Sequence, residues 1–214
     1  MTHAARCSFN TRLAGAISAL VAAATFAFLH AAYDRLPIVV PIGFDSGNPS
    51  AFAGKSLGLV FLPFGMQIAL GAVLSAVVAV VLGQRQNEPD VHHLQRRAAA
   101  EHTAEAIALL AAVWIGFQAI NAWRLTELWL HTFDPFIEIY VVALITAVTA
   151  TLVIGVRVVL KVGESGVGTA MLHTPVLDGR RPLASAGLAA LLALGIGAPL
   201  ALLSIVWGLL TQYA

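Results

Sequence analysis

Asp90, His92, His93, Glu101, His102 and Glu105 form the densest gathering of side chains able to bind a metal or move a proton. Imidazole and carboxylate together suit zinc and other divalent ions. On a helix, His102 and Glu105 stand three apart and Glu101 and Glu105 four apart, so these groups share a face. The spacing matches no metal-site pattern such as His-Glu-x-x-His, and Arg96 and Arg97 stand among the same residues. A solvated, charged connection between apolar runs accounts for the group. No metal ligand is therefore assigned to His92, His93 or His102. Glu105 falls at the start of the third apolar run, where the positive end of a helix dipole favours a carboxylate; handling a proton is its other reading. Glu138 holds the matching place in the fourth run.

Gln67, Gln118 and Asn121 are the polar residues deepest in the apolar runs. An amide costs free energy in lipid unless bonded, so all three should face the interior and hydrogen-bond across it. Gly71 and Ser75, like Gly195 and Pro199, provide small surfaces for close helix approach. The Gly163-to-Gly168 stretch lacks the Gly-Lys-Ser/Thr ending of a phosphate loop and reads as a turn. Cys7 is the one cysteine, which excludes an internal disulfide. With no nucleophile elbow, zinc-protease motif or dinucleotide fingerprint, the chain reads as non-catalytic and without cofactor.

These residues must be carried by membrane helices. The 214 residues are 59% hydrophobic and 11% charged, with mean hydropathy +0.85; soluble domains average about 25% charged. The near balance of 12 Lys+Arg against 11 Asp+Glu leaves no nucleic-acid footprint. Runs near 13–33, 56–83, 104–123, 136–160 and 183–210 each reach the roughly 18 residues needed to cross a bilayer. The predicted fold is an all-α polytopic bundle of about five transmembrane helices in a single domain over 1–214. The first run is long and lacks a cleavage site, so it reads as an uncleaved span. Pro63 should kink the second. Trp123, Trp129 and Trp207 suit interfacial depths, and Leu125–His131 reads as a short amphipathic segment outside the third span.

Between the first two runs lies Leu36-Pro37-Ile-Val-Val-Pro41-Ile-Gly43-Phe44-Asp45-Ser46-Gly47-Asn48-Pro49, closed by Lys55. Its prolines fix φ and push preceding residues into extended conformations. Asp45 to Pro49 is dense in turn residues. Leu36, Ile38, Val39, Val40 and Phe44 need burial, which predicts a loop packed on the bundle. Leu36, Pro37, Pro41, Phe44, Gly47, Pro49 and Lys55 match in order a pattern over roughly residues 13–84. It resembles the short membrane domain of unknown function at the N-terminus of SdpI-type immunity proteins. Gly43 stands where that family carries His, which removes the imidazole from the position.

The resemblance implies immunity to, or sensing of, an external toxic peptide. The candidate binding residues are Pro37, Pro41, Phe44, Gly47, Pro49 and Lys55. Lys55 can meet an acidic ligand group or snorkel to a lipid phosphate. The other reading is an accessory structural subunit packed beside other proteins of a larger membrane complex. The expected partners are thus the lipid bilayer and an external peptide or a membrane protein, with no nucleic acid.

Orientation follows from the basic residues. Arg6, Arg12, Arg85, Arg96, Arg97, Arg157, Lys161, Arg180 and Arg181 share one side, against Arg35, Lys55 and Arg124 on the other. The positive-inside rule puts the N-terminus in the cytoplasm of a cell whose inner membrane holds the chain. The Pro-rich loop then faces out. A Ser46→Cys variant in a Cys7→Ser background should react with an impermeant thiol reagent on intact cells. Reaction only after permeabilisation would reverse the topology.

Overall fold

The computed structural model describes residues 9–45, 48–83, 93–131 and 137–164. Helix α1 (Phe9–Tyr33) leads into strands β1 (Val39–Asp45) and β2 (Asn48–Gly54), followed by a single turn, α2 (Leu57–Val60), and by α3 (Leu62–Gly83). Helices α4 (His93–His131) and α5 (Ile137–Glu164) complete the described chain. Among the described residues, four helices are long and apolar enough to cross a membrane: Phe9–Tyr33, Leu62–Val80, Ala100–His131 and Glu138–Val158. The molecule is an all-α membrane helix bundle carrying one small hairpin. The expected fifth span, 183–210, lies outside the described residues.

Helix α4 is the wall against which α1, α3 and α5 pack. At 39 residues and 1.5 Å per residue it is about 58 Å long, nearly twice the roughly 30 Å hydrocarbon thickness. It runs between Pro89 and Pro135, with no proline in the interval to stop it. The helix outruns the expected third span of 104–123 at both ends. Leu125–His131 is a continuation of the same helix and not a separate segment, and Glu105 sits three turns inside it. A dipole effect confined to the first turn cannot reach Glu105; its Oε1 instead accepts a 2.9 Å bond from Asn10 Nδ2 of α1. Glu138 does lie in the first turn of α5.

The buried face of α1 is Thr11, Ala14, Ser18, Ala22, Thr25, Leu29 and Ala32. Steps of three and four keep them in one stripe, and six of the seven are small. Small side chains allow close helix approach where lipid offers no hydrophobic push. Ser18 and Thr25 donate their hydroxyls to Ala14 O and Val21 O at 2.8 and 2.9 Å, so neither brings an unpaired donor into the contact.

The second run divides. Ser56 caps α2 by accepting from Leu59 N at 3.2 Å, and the chain re-forms as α3 after Phe61. Pro63 has no N–H to give Leu59 O; the Phe61 N–H, shared between Leu57 O and Leu59 O, serves that carbonyl instead. The expected kink is thus a one-residue break. Gly71 faces α4, where a Cβ would meet Ile115 Cδ1 at 3.8 Å. Ser75 is exposed, so the small pair Gly71 and Ser75 does not act as one contact.

Gln67 joins three helices. Only 1% exposed, it donates through Nε2 to Thr25 Oγ1 of α1 at 3.1 Å and to Ile115 O of α4 at 3.0 Å. Its Oε1 has no hydrogen-bond partner among the described residues. Gln118 is also buried, and Asn121 on the same helix donates to its Oε1 at 3.4 Å. Gln67→Ala should lower stability by about 2 kcal/mol or more through the cavity it leaves. Gln67→Leu removes the donors and the orphaned oxygen together while keeping volume, and should stay within about 1 kcal/mol of the parent. Unfolding in detergent micelles measures both. A leucine variant as weak as the alanine one would mean that hydrogen bonding, not filling, holds the junction.

Candidate functional site: the hairpin end of the bundle

The Pro-rich segment is a β-hairpin rather than an irregular loop. Val39 pairs with Gly54, Val40 with Ala53, Pro41 with Phe52, Phe44 with Pro49 and Asp45 with Asn48, with irregular register around Gly43. Prolines usually argue against a strand, but in a two-stranded sheet both strands are edges, where a missing N–H is tolerated. The irregularity adds the bend of a bulge. Lys55 N donates to Ile38 O at 2.7 Å and closes the base.

Two side chains fasten this hairpin to the bundle. Trp129, 4% exposed, donates Nε1 to Pro41 O at 3.1 Å. The indole is thereby anchored in the core, near the end of α4. Leu29, Leu36, Val40, Val60, Ala122 and Trp129 pack as one cluster, with Tyr33, Phe61 and Phe64 against it. The second fastening is Lys55. Its Nζ donates to Tyr33 O at 3.2 Å and Leu36 O at 3.0 Å, and lies 4.8 Å from the centre of the Tyr33 ring. Tyr33 ends α1, so the ammonium occupies the negative end of that helix and serves Tyr33 O, a carbonyl without an intrahelical donor, as well as Leu36 O just beyond it. Ring and cation attract as well.

Of the six candidate binding residues, Pro41 is buried under Trp129, Pro37 is exposed, and Pro49 and Lys55 are half-buried. Gly47 lies outside the described residues, as does Ser46, and of Phe44 the backbone alone is described. Leu36 and Val40 are buried as expected. Ile38 and Val39 are not: they are 82% and 51% exposed. Ile38 precedes the strand, and Val39 lies on the hairpin face away from Val40, so the alternation of a strand turns it outward.

Reasoning from sequence missed the residues of α4 and α5 that complete this end. Arg124, placed on the solvent side by charge counting, is 5% exposed, and its guanidinium carbon lies 4.4 Å from the centre of the Tyr140 ring. Beneath it Trp114, Phe117, Tyr140 and Ala147 form a second core cluster. Trp114 Nε1 donates to Thr151 Oγ1 at 3.2 Å and links α4 to α5. The signal available was the helical recurrence of apolar residues at 122, 125, 128 and 129, which continues past the expected end of the span.

Glu101, His102 and Glu105 lie on α4 more than five turns from Trp129, away from this end. Asp90 and His92 lie outside the described residues, and only the backbone of His93 is described. Among the described residues no three His, Cys, Asp or Glu side chains gather closely enough to hold a metal.

Residues 20–66 match the family model described as a domain of unknown function, DUF1648, a domain found in SdpI-type proteins. The matched stretch runs from mid-α1 through the hairpin and α2 into the start of α3. No curated protein and no solved structure matches the chain.

Lys55→Met should take the ammonium from both carbonyls, leaving Tyr33 O with Leu36 N alone at 3.3 Å, and lower stability by about 1–2 kcal/mol, since this charged group is partly exposed. Trp129→Phe, which loses one hydrogen bond, should cost about 1 kcal/mol. Hydrogen exchange in detergent locates the effects: faster exchange at the last turn of α1 for Lys55→Met, and across β1 for Trp129→Phe. Unchanged exchange in both would separate the hairpin from the bundle.

Proposed function

We propose that the hairpin end is a non-catalytic recognition surface for an external peptide, in the manner of SdpI-like immunity or sensing. The observation that supports it is the place of the family match. The likeness covers the helix–hairpin–helix unit at one end of the bundle, and the hairpin is the part of that unit beyond the helices. A hairpin held at Pro41 and Lys55 loses less conformational freedom on binding than a free loop. The positive-inside orientation, with the N-terminus cytoplasmic in a cell inner membrane, turns this end outward. With Lys55 engaged on α1, it positions the binding surface, and direct contact falls to Pro37, Phe44, Gly47 and Pro49.

The test is site-specific photo-crosslinking in producing cells, from Ser50 on the hairpin and from Val142 on the exposed side of α5. Recognition predicts a peptide-sized adduct from Ser50 that is lost in a Gly47→Ala, Pro49→Ala variant still inserted in the membrane. A stoichiometric membrane protein captured from Val142, with nothing from Ser50, would replace this reading with that of an accessory subunit.

A further inference from the structure

The hairpin carries an apolar surface that the bundle leaves uncovered. Ile38, Val39, Ile42 and Phe52 are 82%, 51%, 40% and 57% exposed, and Leu57, at the start of α2, is 64% exposed. Pairing of Val39 with Gly54 and of Pro41 with Phe52 puts Val39, Pro41 and Phe52 on one face, opposite Val40 and Ala53; Pro41 is buried, and Val39 and Phe52 are the uncovered part of that face. From Ile38 to Gly54 the only ionisable residue is Asp45, at the turn. Water-facing edge strands are ordinarily guarded by charge, lysine above all. Lys55, the nearest lysine, is turned back onto α1.

Height decides what covers this surface. Val40 packs in one cluster with Leu29, in the last turns of α1, and with Val60 of α2. The base of the hairpin is therefore level with the ends of the membrane-crossing helices and does not stand clear of them. Asp34 and Arg35 are exposed at the same level, together with the aromatic Tyr33 and the buried Trp129. Charge mixed with Tyr and Trp marks the boundary between lipid and water. A deeper seat is excluded, because open strand edges do not occur in the hydrocarbon itself.

We propose that the exposed apolar side of the hairpin, Ile38, Val39 and Phe52 with Leu57, is seated in the headgroup–acyl boundary of the leaflet at the end of α1. The occupant is lipid, continuous with the lipid around α1 and α3. The backbone fits this depth. Ile38 O and Pro41 O, on the segment nearest the acyl chains, accept from Lys55 N and Trp129 Nε1, and Pro41 has no N–H to satisfy. The inference goes beyond the recognition reading and does not depend on it.

Nitroxide labels at Ile38→Cys and Phe52→Cys, each in a Cys7→Ser background, test this in phosphatidylcholine nanodiscs. Collision with oxygen, which concentrates in lipid, is compared with collision with a water-soluble nickel chelate. Val142→Cys on the exposed side of α5 supplies the lipid reference. The expected result is a severalfold excess of oxygen over nickel collisions at both hairpin positions, approaching that at Val142. Nickel collisions dominating at both positions would place the hairpin in water and overturn the proposal. Low access to both reagents would mean that protein covers the surface, and would overturn it equally. Neither outcome bears on the crosslinking from Ser50, so the two ideas fail separately.

Discussion

A helix already in lipid gains little by turning apolar side chains toward another helix, because acyl chains are as apolar as leucine. What holds α1, α3 and α5 to α4 is therefore close fit and hydrogen bonding, and nearly all of it converges on α4. The small stripe of α1 makes the fit. Gln67 reaches Ile115 O, Trp114 reaches Thr151 and Trp129 reaches Pro41 O. Each of these bonds has one end on α4 and the other on a different element. Ending α4 at 123 would remove the last and leave the hairpin without its indole anchor.

The polar joints also differ in kind. Ser18 and Thr25 return their hydroxyl protons to their own helix and so enter the interface as small, satisfied groups. Gln67 cannot do this, because its amide brings more polar capacity than its neighbours absorb, and among the described residues Oε1 is left over. A buried acceptor without a partner weakens the packed state relative to an apolar filler. Its retention at the meeting of three helices is consistent with a part in fixing how they register, as polar residues do in coiled coils.

Much of the bundle was legible because lipid imposes a simple rule: long apolar runs must be helices that satisfy their own backbone. The starts and ends were not, since a helix can project into water wherever nothing stops it. Composition changes at 104 and at 123, but α4 runs from His93 to His131. The hairpin was hidden for the opposite reason. The prolines were read as fixing an extended loop, and a sheet of two edge strands is what can accept both Pro41 and Pro49. The turn residues Asp45 to Pro49 were read correctly as a reversal, whereas the pairing on either side depended on Trp129, 88 positions from Pro41. Lys55 was the most misleading residue. A lysine at the mouth of a span invites a ligand or a lipid phosphate, and only the fold reveals the end of α1 within its reach.

The segment that carries the family likeness is not self-sufficient in this chain. Residues 20–66 contain Val40, Pro41 and Val60, yet the partners that bury them include Ala122 and Trp129 of α4. Without α4 the hairpin would keep the Lys55 cap and its own ladder but lose the indole and the floor beneath Val40. An isolated two-stranded hairpin is marginal in water, so its order has to come from α4. The dependence runs both ways. Any event that shifts Pro41 acts directly on Trp129, and Trp129 lies one and a half turns from Arg124, whose guanidinium rests on Tyr140 of α5. The hairpin is thus joined through consecutive turns of a single helix to Tyr140 of α5.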